Sequence, residues 1–218
     1  MTTTHSALVT CSAGLTVSGT LTLPTSSTDF ANDIPRDAIA QKTLAKVNLP
    51  LHLWTKHDEP WTLLPNPSAA DDLGLYGATF GTNTPQIMTY DVKAVGSVSL
   101  YARFPGFMIP YDYDDGETIQ LVAFAGMEGA VADTSATIDF EAYKIDGQGG
   151  VTGSDLITTA AQTINSLTFA EKTFTLDAAS VDPGDLLDIR MTIAVNDAAS
   201  VSSVQAAVGK AYMQLDIR

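Results

Sequence analysis

In Leu187-Asp188-Ile189-Arg190-Met191-Thr192-Ile193-Ala194-Val195, every odd position is apolar. A period of two is that of an extended chain with one buried face, and a helix would scatter these residues around its axis. The same pattern returns in Ala211-Tyr212-Met213-Gln214-Leu215-Asp216-Ile217-Arg218, so a strand is expected up to the last residue, tied into a sheet. Ser97–Phe104 alternates too, with Val98, Leu100, Ala102 and Phe104 on one side and Ser97, Ser99, Tyr101 and Arg103 on the other. Thr137–Lys144 directs Ile138, Phe140 and Ala142 inward, and Lys172–Asp177 does so with Phe174 and Leu176. Thr118–Phe124 is apolar enough to be covered on both faces.

Turn residues separate these runs: Pro105-Gly106, Asp114-Asp115-Gly116, Asp146-Gly147 and Asp182-Pro183-Gly184-Asp185. About eight strands with little helix predict an all-β sandwich, with a jelly roll preferred over an immunoglobulin-like arrangement. The segment before them differs. Residues 1–31 are rich in Thr, Ser and small apolar residues, and Leu15–Leu23 alternates before the loose stretch Pro24–Thr28. An extended arm is expected there. Its apolar residues Leu15, Val17, Leu21, Leu23 and Phe30 are the candidates for contact with a partner. Residues 33–47 predict one short helix, started by Asp33 and Pro35, with Ala40, Leu44 and Val47 on one face and Asn48 and Pro50 ending it. The expected division is 1–47, arm with short helix, and 48–218, the sandwich.

Hydrophobic residues make up 45% of the 218 residues, enough to offset the ordering entropy of most of the chain. Charged residues make up only 17%, against about 25% in an ordinary soluble domain. A surface so poor in charge suits burial against copies of the same chain. The formal net charge of -14 opposes direct binding to a phosphate backbone. Cys11 is the single cysteine, so an internal disulfide and a cysteine-rich zinc site are both excluded. The start MTTTHSALVT lacks a basic segment, and the first Lys or Arg is Arg36, so a secretory signal is not expected. No apolar run approaches the roughly 20 residues a membrane-spanning helix needs.

The chemical motifs are sparse. His52 and His57 with Asp58 and Glu59 give a weak metal-ligand spacing, and an exposed polar turn is the simpler reading. Asp112-Tyr113-Asp114-Asp115-Gly116-Glu117 departs from the calcium-loop order and reads as a solvated turn. No Gly-x-Ser-x-Gly elbow is present, and Gly147–Gly153 lacks the residues of a phosphate loop. Trp54, Trp61, Tyr76, Tyr111 and Tyr113 could line a sugar-binding face, although aromatics at strand ends are more often core or subunit contacts. No cofactor and no enzymatic activity are expected.

From about residue 34 onward the chain resembles small structural proteins of tailed bacteriophages, including jelly-roll decoration (cement) proteins of phage heads. The resemblance is carried by IPRDAIAQKTLAKVNLPLHLW, DDLGLYGATFGT, ARFPGFMIPYDYDDGETIQL, FEAYKIDGQGGVTGSDLITTAAQTINSLTFAEKTFTL and VDPGDLLDIRMTIAVNDA. It implies a homotrimer on the outer surface of the phage head, bound to the major capsid protein, with no direct contact to nucleic acid or membrane. The arm would then reach along the shell or to a sister subunit. Work of this kind is spread over surfaces, so the resemblance assigns no single functional residue. A receptor-binding or glycan-binding module of the tail or a head fibre is the alternative expectation.

Overall fold

The computed structural model of the chain describes residues 43–77, 81–82 and 84–217. Its strands, in chain order, are β1 (Thr43–Asn48), β2 (Gly74–Tyr76), β3 (Gln86–Met88), β4 (Gly96–Met108), β5 (Ile119–Gly129), β6 (Ser135–Ile145), β7 (Val151–Thr152), β8 (Gln162–Thr163), β9 (Ala170–Thr175), β10 (Leu186–Asp197) and β11 (Val204–Ile217). One sheet runs β2-β3-β11-β5-β9, with β1 also paired to β11, and the other runs β4-β10-β6-β7, with β8 also paired to β6. All strand pairs are antiparallel.

Short β7 and β8 lie against the two ends of β6, at Lys144–Ile145 and Thr137–Ile138. Taken as one interrupted strand, they complete a jelly roll of eight strands. The sheet orders are then 3-11-5-9 and 4-10-6-8, so late strands insert between early ones as the chain wraps around itself.

The expected helix over 33–47 is corrected where it can be seen. Thr43–Asn48 is a strand whose register runs from Thr43 opposite Ile217 to Asn48 opposite Tyr212. Ala45 and Val47 are half-buried, whereas Leu44, assigned to the buried helix face, is 53% exposed. The edge of β11 supplies backbone partners and an apolar surface, and these override the local helical pattern. The rest of the proposed helix and the whole of 1–31 lie outside the described residues.

β11 is longer than its alternation suggested, because its phase reverses midway. Val204, Ala206 and Val208 face the core, and then Ala211, Met213 and Leu215 do. The switch falls where the register with β5 shifts between Val208 and Lys210. One extra residue, Gly209, is accommodated there as a bulge, which returns the odd positions to the core.

The core lies between the sheets, and a chain of rings crosses it. Trp54 meets Phe104 of β4 edge-on at 5.6 Å and Phe140 of β6 at 6.2 Å. Phe140 in turn meets Phe174 of β9, in the opposite sheet, at 5.0 Å. Edge-to-face contacts of this kind add to the stabilisation from burying the rings themselves.

Candidate functional site

Strand alternation sends Tyr101 and Arg103 of β4, Arg190 and Thr192 of β10, and Asp139, Glu141 and Tyr143 of β6 to the outer face of the β4-β10-β6 sheet. Register arranges them in rows. Arg190 lies opposite Arg103 on one side and Glu141 on the other, and Thr192 lies opposite Tyr101 and Asp139.

Two guanidinium groups directly opposite each other across a ladder repel. Here a carboxylate joins them. Asp188 stands two positions before Arg190 on the same strand face, and is completely buried. Its Oδ1 lies 2.5 Å from Arg103 Nε, and its Oδ2 lies 3.0 Å from Arg190 Nε. Both arginines keep partial exposure, 26% and 38%. Arg190 also lies 4.5 Å from the centroid of the Tyr143 ring, a cation–π contact that further fixes its plane.

One wall of this site comes from the loops that cover the edge of β4. Thr55 and Arg103 exchange backbone hydrogen bonds of 2.8 and 3.0 Å, and Tyr101 N–H donates to Asp71 O at 2.8 Å. His57 is thereby brought over the sheet, its ring 5.0 Å from that of Tyr101. His57 Nδ1 lies 3.1 Å from Asp72 Oδ1, and Nε2 lies 3.6 Å from Asp71 Oδ2. Lys56 Nζ is 3.3 Å from the other oxygen of Asp72. Together with the outer face of β4, β10 and β6, this wall encloses a groove of about 400 Å³ lined by His57, Tyr101, Arg103, Glu141, Arg190 and Thr192.

The far side of the groove is acidic. Burial pushes the Asp139 carboxyl above its ordinary range, and the nearby Asp155 carboxylate adds to this against a hydrogen bond from Phe140 N–H. Tyr143 is raised likewise, by burial and then by the charges of Glu141 and Asp155.

His57 therefore joins Asp71 and Asp72, a group whose ligand-type atoms all lie within 4.8 Å of one another, in place of the suggested set with His52, Asp58 and Glu59. His52 is exposed in a short 3-10 turn at Leu51–Leu53. The Asp112–Glu117 stretch is a tight turn, closed by Glu117 N–H donating to Asp114 O and by the Tyr113 hydroxyl donating to Glu117 O.

The aromatic set proposed for a sugar face is not one surface. Trp54 and Tyr113 are buried, at 1% and 3% exposure, whereas Trp61 and Tyr111 are each 80% exposed. Tyr76 is half-buried, with its hydroxyl oxygen accepting from Ser68 N–H at 3.2 Å. The arm residues Leu15, Val17, Leu21, Leu23 and Phe30 lie outside the described residues, as does Cys11. The Arg103–Asp188–Arg190 arrangement was not foreseen. Its signal was an Asp, Arg pair on the outward side of the most regular strand, facing Arg103 on the other clear one.

No family model matches the chain, and no curated protein matches it. Several solved structures align with parts of the chain at low similarity. The xylan-binding CBM22-1 domain of Paenibacillus barcinonensis Xyn10C aligns at 12% identity over 66% of this chain and 80% of its own, with a TM-score of 0.34. The structure of infectious bursal disease virus, Gx strain, aligns at 8% identity over 82% of this chain and 32% of that one, with a TM-score of 0.39. The enzymatically active domain of bacteriophage CBA120 tailspike protein 4 aligns at 14% identity over 78% and 19%, with a TM-score of 0.34. Likenesses this distant transfer no role; what the chain is, on its own topology, is an all-β jelly roll.

Proposed function

We propose that the chain is a structural protein of a bacteriophage particle, a cement protein that decorates and stabilises the head as a homotrimer. It binds the major capsid protein on the outer surface, touches neither nucleic acid nor membrane, and catalyses no reaction. The observation that carries this reading is the position of β1. It is the first strand after residues 1–42 in the sequence, and among the described residues it pairs with β11 alone. A strand at a sheet edge is a natural anchor for a long segment that engages a neighbour by adding strands. Repetition over a shell makes individually weak contacts collectively strong.

Two further observations support it. Met108 and Leu186 are register partners at one end of β4 and β10, 51% and 40% exposed, and give the sandwich an apolar surface for a sister subunit. Each groove arginine is anchored through Nε to Asp188, and His57 lies against Asp71 and Asp72, which suits a fixed surface more than a reacting one.

The test removes residues 1–33. The shortened chain is expected to fold and to trimerise, since residues 41–218 form a compact unit, but to lose binding to the particle. Full decoration of particles by the shortened chain would refute the role given to the arm.

A second reading is a glycan-binding module of the tail or of a head fibre. The groove favours it, because rings, hydroxyls and charges converge on one face of a rigid sheet.

A further inference from the structure

We propose that the groove over Arg103 and Arg190 binds a sugar that carries a carboxylate, such as a uronic or sialic acid unit of a surface polysaccharide. This rests on the second reading above and gives it a ligand class.

The argument begins with Asp188. A fully buried carboxylate takes both guanidinium groups through their Nε atoms. Each arginine has five N–H donors in a planar fork, so most of them remain for other partners. The two forks are side by side in register, partly exposed, and fixed from beneath. Arg103 and Arg190 are also the two arginines among the described residues of a chain with net charge -14. That both occupy one groove around one buried anion marks a built site.

The fork donors and the nearby charges select the ligand. Asp188 offsets one guanidinium charge from beneath and Glu141 offsets the other from the side, so the groove holds an anion through its aligned N–H donors and not through an excess of positive charge. Glu141 stands directly opposite Arg190 on the other side. Its carboxylate opposes a dianionic phosphate more strongly than a singly charged carboxylate, and it accepts hydrogen bonds from sugar hydroxyls. Tyr101 and His57, at a centroid distance of 5.0 Å, present ring surface to the C–H faces of a pyranose. A planar carboxylate for the forks, hydroxyls for Glu141 and Thr192, and an apolar ring face for Tyr101 occur together in an acidic sugar.

The experiment is calorimetric titration of the full chain with oligosaccharides in matched acidic and neutral forms: trigalacturonate against galactotriose, a glucuronate trimer against maltotriose, and sialyllactose against lactose. At least one acidic member is expected to bind while its neutral match does not. Arg103→Gln and Arg190→Gln are each expected to weaken that binding about tenfold, the worth of a charge-assisted hydrogen bond in this setting. Arg190→Lys is expected to recover little, because it restores the charge without the fork. Thermal unfolding of each variant separates lost binding from lost folding. Binding of neutral members as strong as that of their acidic matches would overturn the carboxylate inference and keep the glycan reading. Binding of no member would overturn both. Acidic binding unchanged in all three folded arginine variants would overturn this placement of the site.

Discussion

Arg103 Nε lies 2.5 Å from Asp188 Oδ1, across a strand pair in which Asp188 has no solvent exposure and Arg103 keeps about a quarter of its side chain in water. Asp188 is thus the keystone of the outer face, and its loss leaves two like charges opposed. Asp188→Asn is expected to destabilise the fold by about 2 kcal/mol. This is less than the full cost of breaking a buried pair, since the orphaned guanidinium groups can reach solvent. Urea unfolding of the variant and the parent chain measures it.

Phe140 touches Trp54 on its own side of the core and Phe174 of the opposite sheet. Phe140→Ala opens a cavity in the centre of the ring chain, and is expected to cost about 4 kcal/mol. Phe140→Leu keeps most of the volume and is expected to cost less than half as much. Equal losses for the two would mean that the site repacks freely and that the ring chain does not hold the sheets together.

Gly126 of β5 lies under Phe169, so that an added Cβ would come within 2.8 Å of the ring and 3.1 Å of the Phe169 Cα. At an unconstrained strand position a change from glycine to alanine is favourable. Here Gly126→Ala is expected to destabilise, by about 1–2 kcal/mol. Combining it with Phe169→Ala should relieve part of that cost. The double-mutant cycle checks the contact through the sign of its coupling.

Two aspartates stitch the loops at one end of the sandwich. Asp91 Oδ1 accepts from Lys93 and Val204 N–H, and Asp197 accepts from Ala94 and Asp133 N–H and from the Ser200 hydroxyl. Burial alone would raise both carboxyls, but the hydrogen bonds outweigh it and hold them below the ordinary value of 3.8. A carboxyl lowered by folding stabilises above its unfolded pKa, and that stabilisation is lost as pH falls through the lower, folded one. Acid loss from this end is therefore expected below about pH 4. Asp91→Asn and Asp197→Asn should be less stable than the parent at pH 7, with the gap closing below pH 4. A gap independent of pH would contradict the assignment.

Much of the fold was legible because β4, β6, β9 and β10 each bury one face, and their period-two pattern records it. Leu187, Ile189, Met191, Ile193 and Val195 are all buried as that pattern requires. β1 was misread because Ala45 and Val47 gain their partners from Leu215 and Met213 of β11, at the far end of the chain, and local sequence does not carry that pairing. The Gly209 bulge hid the first half of β11, since one inserted residue reverses the apolar phase. The site was less legible still. Aromatic content drew attention to Trp54 and Tyr113, which are core residues. The groove depends on which residues face each other across strands, and register is a tertiary property.

The most direct measurement is cryo-electron microscopy of the phage particle that carries this protein. The account predicts density for the jelly roll at threefold or quasi-threefold sites on the outside of the head, with residues 1–33 extended over the shell. Density confined to the tail, or none on the head, would contradict the cement role and leave the glycan-binding reading in its place.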